Sequence, residues 1–187
     1  MDTFYHGSHT IFDRFDLSHA LEGDGKVKFG YGVYVTSKYS SAAHYSGANP
    51  NATEHFVYTV EIPSKTLTNC IAFKEPVHPT IVDAAQDKLG ETIPEKVLLD
   101  AGKEFRKYLA MKLTGERKVT LEGEKAAAAF LLSIGVEFIE WPYNWKNPSL
   151  GTNRAVLDDS KVRILKVDSV KLGDKKKLIE ESITPVR

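Results

Sequence analysis

The 187 residues give this chain the length of one domain with a sizeable core, and its 25 basic and 25 acidic side chains cancel. A chain without net charge has no global field to draw it onto phosphate backbones or anionic membranes, so nucleic acid is disfavoured as a partner and no membrane partner is expected. The single cysteine, Cys70, excludes an internal disulfide and a cysteine-rich zinc site. No apolar run reaches the length of a membrane span, and no basic-then-apolar secretory signal opens the chain. The expectation is a cytoplasmic protein, in the cytoplasm of a host cell if it is a delivered effector.

In chain order, residues 3–6 read as a short strand, followed by a polar, glycine-rich loop through residues 21–25. Gly32 to Thr36 is β-branched and aromatic, as a strand is, and Ser37 offers a hydroxyl to cap a helix through Ala42, Ala43 and Tyr45. The run from Gly47 to Asn51 stops that helix. Phe56, Tyr58, Val60 and Ile62 alternate with Val57, Thr59 and Glu61, the period of a strand that Pro63 ends.

The middle of the chain turns helical, over about residues 78–135. Thr80 caps a first helix, Pro94 opens a second with a stripe at Val97, Ala101, Phe105 and Leu109, and a third runs from Glu124 through Ile134, with Gly135 as the residue just past its end. Strands return at Val136–Trp141, Arg154–Leu157 and Val162–Val167, and the lysine-rich tail after Gly173 reads as a solvated end. This order predicts a single α+β domain over residues 1–187, with a mixed or antiparallel sheet and a helical insertion, rather than a doubly wound sheet.

Two short motifs carry the chemistry. Tyr5-His6-Gly7-Ser8 ends the first strand, pairing an imidazole that can reach a ribose hydroxyl with a glycine whose backbone lies open to a flat amide. Gly30-Tyr31-Gly32-Val33-Tyr34 follows, with Tyr45 eleven residues after Tyr34. The glycines do not complete a dinucleotide fingerprint, since Val35 stands where the third would be, and no Gly-Lys-Ser/Thr phosphate loop exists. His6 and His9 are poor metal partners, because a strand points them to opposite faces, so no metal is expected.

Together these motifs resemble ADP-ribosyltransferases of the diphtheria-toxin-like and poly(ADP-ribose)-polymerase-like branch, including its small bacterial and phage-associated domains. The resemblance implies a split β-sheet core of that type and NAD as substrate. It implies that His6 anchors a ribose and that the backbone around Gly7 and Ser8 pairs with the nicotinamide amide. Tyr34, which follows Gly32, and Tyr45 would stack on the nicotinamide ring, while Tyr39 packs elsewhere. Family spacing puts Ala42 where a serine often bonds the nicotinamide carbonyl, leaving Ser41 as the substitute.

The segment from Asn153 to Asp158 resembles the strand that carries the family's catalytic glutamate, with Asn153 in the glutamate's place. An amide can orient a ribose hydroxyl but cannot hold a negative charge. The catalytic set implied is His6, Tyr34 and Asn153, with Glu137, Glu140 and Asp158 as the nearest carboxylates. The aromatic loop from Trp141 to Pro148 is the expected recognition element for the acceptor. The function implied is transfer of one ADP-ribose unit from NAD to a macromolecule, expected to be a protein. The alternatives are a non-catalytic NAD- or ADP-ribose-binding module and an NAD glycohydrolase toxin.

Overall fold

The computed structural model describes residues 1–19 and 28–187, so the glycine-rich loop expected at 21–25 lies outside the described residues. The fold is α+β. Among the described residues eight strands form a single sheet: β1 (Asp2–Ser8), β2 (Val33–Thr36), β3 (Phe56–Ile62), β4 (Cys70–Ala72), β5 (Phe138–Pro142), β6 (Thr152–Val156), β7 (Arg163–Leu172) and β8 (Leu178–Pro185). Their order across the sheet is β4-β5-β6-β2-β1-β3-β7-β8, antiparallel throughout except for the parallel β4–β5 pair.

Five α-helices among the described residues accompany the sheet: α1 (Tyr39–Ser46), α2 (Pro79–Leu89), α3 (Glu95–Leu98), α4 (Gly102–Thr114) and α5 (Leu121–Ser133). Registered partners on neighbouring strands point to the same face, and side chains alternate along each strand. One face therefore presents Tyr5, Val57 and Val170, on which α1 packs through Ala42 and Ala43. Farther along that same face Ile139, Trp141, Ala155 and Leu157 take the helical insertion through Ile81, Phe105, Leu109 and Leu131. The opposite face buries Phe4, Val33, Val35, Tyr58, Val60 and Phe138 beneath Phe12, Phe15 and Leu17.

The local signals of the sequence are partly reassigned. Ser37 does not cap α1: Lys38 holds the N-cap position without a side-chain bond, while the Ser37 hydroxyl accepts from the Thr152 N–H at 2.8 Å and so ties β6 to the end of β2. Thr80 gives way to His78, whose imidazole accepts the Thr80 N–H, with Pro79 filling the first turn. The helix expected from Pro94 breaks into α3 and α4 at Ala101, whose backbone is extended, and Gly102 then packs against the Ala72 carbonyl, too closely for a side chain. Thr120 starts α5 earlier than Glu124 by accepting the Gly123 N–H. The tail after Gly173 is no loose end. It turns back as β8 and pairs along β7, and its polar composition reflects an edge strand with one solvated face.

The β1–β2 seam is the least continuous line in the sheet. β1 is registered with β3 from Asp2 to Ser8, whereas its only registered pair with β2 is Tyr5 with Thr36. Beyond that rung, Gly7 and Ser8 have no registered partner on β2.

Candidate functional site

The seam gathers most of the motif residues. Tyr5, Thr36, Asn153 and Trp141 lie in one registered row across β1, β2, β6 and β5, on the face that α1 and the insertion cover. Gly7 and Tyr34 share that face, two positions along their strands. Gly7 is there by necessity. A Cβ on it would stand 1.8 Å from the Ala42 carbonyl oxygen and 2.8 Å from the Ser46 nitrogen, so only glycine lets α1 lie directly on the strand. Gly32 makes the same close approach to β6, where a Cβ would meet the Val156 carbonyl at 2.6 Å.

His6 lies on the opposite face, among Phe12, Phe15 and Tyr58, with the Phe15 ring edge-on at 5.0 Å between centroids. Its Nδ1 nevertheless reaches across the seam to the Tyr34 carbonyl at 2.8 Å. A carbonyl only accepts, so Nδ1 carries the proton and Nε2 is left as an acceptor with no partner among the described residues. Burial lowers the imidazole pKa below its ordinary 6.5, against the opposing pull of the Tyr34 carbonyl, and keeps the ring neutral.

A group whose folded pKa is depressed binds fewer protons than the unfolded chain below pH 6.5, so stability is full above that value and falls as pH drops. His6→Gln should remove up to about 1.4 kcal/mol per pH unit of that loss. Urea melts of both proteins from about pH 7 to about pH 5 check this, and parallel curves would place the acid sensitivity elsewhere.

The Tyr34 hydroxyl is saturated: it donates to the Gly30 carbonyl at 2.9 Å and accepts the Phe29 N–H at 3.0 Å. Burial pushes its pKa up to about 12. What Tyr34 offers is a ring, held edge-on to Trp141 at 5.4 Å. Trp141 in turn stacks on Phe29 at 4.0 Å. Tyr45 stands on α1 and is 53% exposed. Tyr39 packs against Tyr5 and donates its hydroxyl to Asp168 at 3.1 Å.

Two buried polar groups near the seam lack hydrogen-bond partners among the described residues. Asn153 is 4% exposed and Ser41 is 5% exposed, yet neither Asn153 Oδ1 nor Ser41 Oγ has a hydrogen bond. Folded proteins pair nearly all such atoms, and each one left unpaired costs about 1–3 kcal/mol. Ser8, at the end of β1, bonds locally to Thr10.

The carboxylates nearest Asn153 in sequence are committed elsewhere. Glu140 lies on the opposite face and pairs with Lys65 and Arg154. Glu137 accepts from Asn69 and Lys161. Asp158 closes a turn on Ser160. Among the described residues no group of three or more His, Cys, Asp or Glu side chains is placed to hold a metal ion, and no helix is long and apolar enough to cross a membrane.

The aromatic loop expected to recognise the acceptor divides. Trp141 is buried in the core, while Tyr143 and Trp145 are exposed, each beneath a lysine, Lys38 at 5.0 Å and Lys74 at 4.2 Å.

The motifs did not point to a buried pair behind Tyr34. Arg106 on α4 and Glu124 on α5 form an enclosed ion pair, and Arg106 Nη2 also donates to the Lys28 carbonyl at 3.4 Å. Burial pushes the Glu124 carboxyl up while Arg106 draws it back. Charged residues on two separate helices carry no sequence mark that they meet.

No family model matches the chain, and no curated protein matches it.

Proposed function

We propose that the protein is an NAD-dependent mono-ADP-ribosyltransferase acting on a macromolecular acceptor, with protein favoured by the balanced charge. The observation that carries this reading is the set of unpartnered polar atoms beside the seam. Ser41 Oγ and Asn153 Oδ1 are buried without bonds, and Gly7 lacks a registered partner on β2, so the site is furnished for a polar ligand.

In this reading the backbone at Gly7 and Ser8 pairs with the carboxamide of nicotinamide. Tyr34 and Tyr45 supply ring faces and Ser41 a hydroxyl, while His6 acts from the opposite face by holding the Tyr34 carbonyl through its Nδ1–H. The split-sheet core of this enzyme class fits a sheet joined by one rung between β1 and β2.

The reaction breaks the bond between the ribose anomeric carbon and the nicotinamide nitrogen. The electron pair leaves with nicotinamide, a lone pair of the acceptor forms the new bond, and the acceptor's proton passes to solvent. The protein's task is to hold the leaving ring in place and stabilise positive charge on the sugar. Asn153 orients a hydroxyl there without supplying charge, which makes the transfer slow and favours one unit over chain growth.

Incubation with labelled NAD and a cell lysate tests the proposal. Label is expected on a macromolecule; release of free nicotinamide alone would make the protein a glycohydrolase. Binding without turnover is the second reading, favoured by the amide at position 153. Tyr34→Ala and Tyr45→Ala should each weaken NAD by about 1 kcal/mol or more in calorimetry, and unchanged affinity in both removes this pocket. Asn153→Glu should raise cleavage of NAD by water, whereas Asn153→Ala should lower transfer; wild-type rates in both variants would put Asn153 outside the site.

A further inference from the structure

Beside α1 runs a groove of about 460 Å³, of a size to hold a nucleotide. Its walls come from three distant parts of the chain. Ser41 and Tyr45 belong to α1, Tyr143 to the loop after β5, and Lys176, Lys177 and Glu180 to the β7–β8 hairpin. Lys38 adds a cation at the rim, over the Tyr143 ring.

We infer that this groove is a nucleotide phosphate subsite, in which Lys176 and Lys177 hold the phosphates of a nucleotide stacked on Tyr45 or Tyr143. The inference deepens the reading above and shares Ser41 and Tyr45 with it.

Three observations carry it. Neither lysine makes an ion pair among the described residues, and against these two ammonium groups the groove has one carboxylate, Glu180. Ser41 lines the groove and is nine-tenths buried, and its hydroxyl has no hydrogen-bond partner among the described residues. The lysines are also presented on a fixed turn. Lys175 and Lys176 both adopt left-handed backbone, with φ of 55° and 57°, which residues bearing a Cβ seldom do. Main-chain bonds hold the turn, Gly173 N–H to the Lys177 carbonyl at 2.8 Å and Lys176 N–H to the Gly173 carbonyl at 3.1 Å. Left-handed backbone at consecutive positions is a form that tight antiparallel hairpins take, and here it fixes where the two lysines stand.

The phosphates have two sources, the diphosphate of NAD itself or a second, free nucleotide. Calorimetry on the full chain with ADP, and separately with inorganic pyrophosphate, tests the subsite against Lys176→Glu/Lys177→Glu. Both substitutions fall on an exposed turn, so the melting temperature should not move.

ADP should bind the wild type more weakly as salt rises, pyrophosphate should compete with it, and the double variant should lose about tenfold or more in affinity. A Lys176→Arg/Lys177→Arg variant should keep most of it. If NAD displaces ADP and is weakened by the same variant, the phosphates are those of NAD. If NAD and ADP bind together, and Tyr34→Ala weakens NAD alone, the groove takes a second nucleotide.

Equal ADP affinity in the wild type and the Glu variant, or no ADP binding at all, overturns the subsite, even where NAD still binds through Tyr34. Lysine-dependent ADP binding without NAD binding would instead leave the subsite standing and remove the transferase reading.

Discussion

Gly7→Ala is expected to destabilise the fold by about 3 kcal/mol and, on the proposed function, to abolish NAD binding, although it adds a single methyl group. That methyl would lie 1.8 Å from the Ala42 carbonyl, and a helix backbone cannot yield as a flexible side chain does. The helix must lift from β1, moving Ser41 and Tyr45 with it. A urea melt gives the loss of stability and calorimetry the loss of binding. A variant with wild-type stability would mean that α1 does not rest on Gly7 in solution.

Arg106→Ala should cost about 3–5 kcal/mol, because it leaves the Glu124 carboxylate buried without its partner. Its second effect reaches the site. Arg106 bonds the Lys28 carbonyl, next to Phe29, and the Phe29 and Gly30 main chain holds the Tyr34 hydroxyl. The two roles separate in Arg106→Met/Glu124→Leu, which should regain most of the stability as an apolar pair. If NAD still binds the repaired protein weakly, Arg106 positions Tyr34. Wild-type affinity in the repaired protein would confine the pair to structure.

Much of the frame was legible because it rests on local periodicity. The alternation from Phe56 to Ile62 gives β3 with its bounds, and the glycine-and-tyrosine run gives β2 and α1. β4 was missed because three residues, Cys70–Ala72, are too few to show a period and take their place from a parallel partner far along the chain. β8 was missed because its lysines and glutamates have the composition of a tail, and only pairing with β7 makes it a strand.

For the site, the sequence marked Gly7, Tyr34, Tyr45 and Asn153 but not their surroundings. That His6 faces away from Gly7 follows from strand alternation alone. That Glu140 is spent on Lys65 and Arg154, or that Lys176 comes to lie beside Tyr45, follows only from the folded chain.

A ladder of hydrogen bonds is what makes a sheet stiff, and here the stiffness is interrupted. In mechanical terms the sheet is two plates, β4-β5-β6-β2 and β1-β3-β7-β8, each under its own helical cover. One ladder rung joins them, helped by His6, whose imidazole bonds the Tyr34 carbonyl, and by the Arg154–Asp2 ion pair between β6 and β1. A ligand bonded to both sides of that joint would act as additional rungs, so the protein is built to be braced by what it holds.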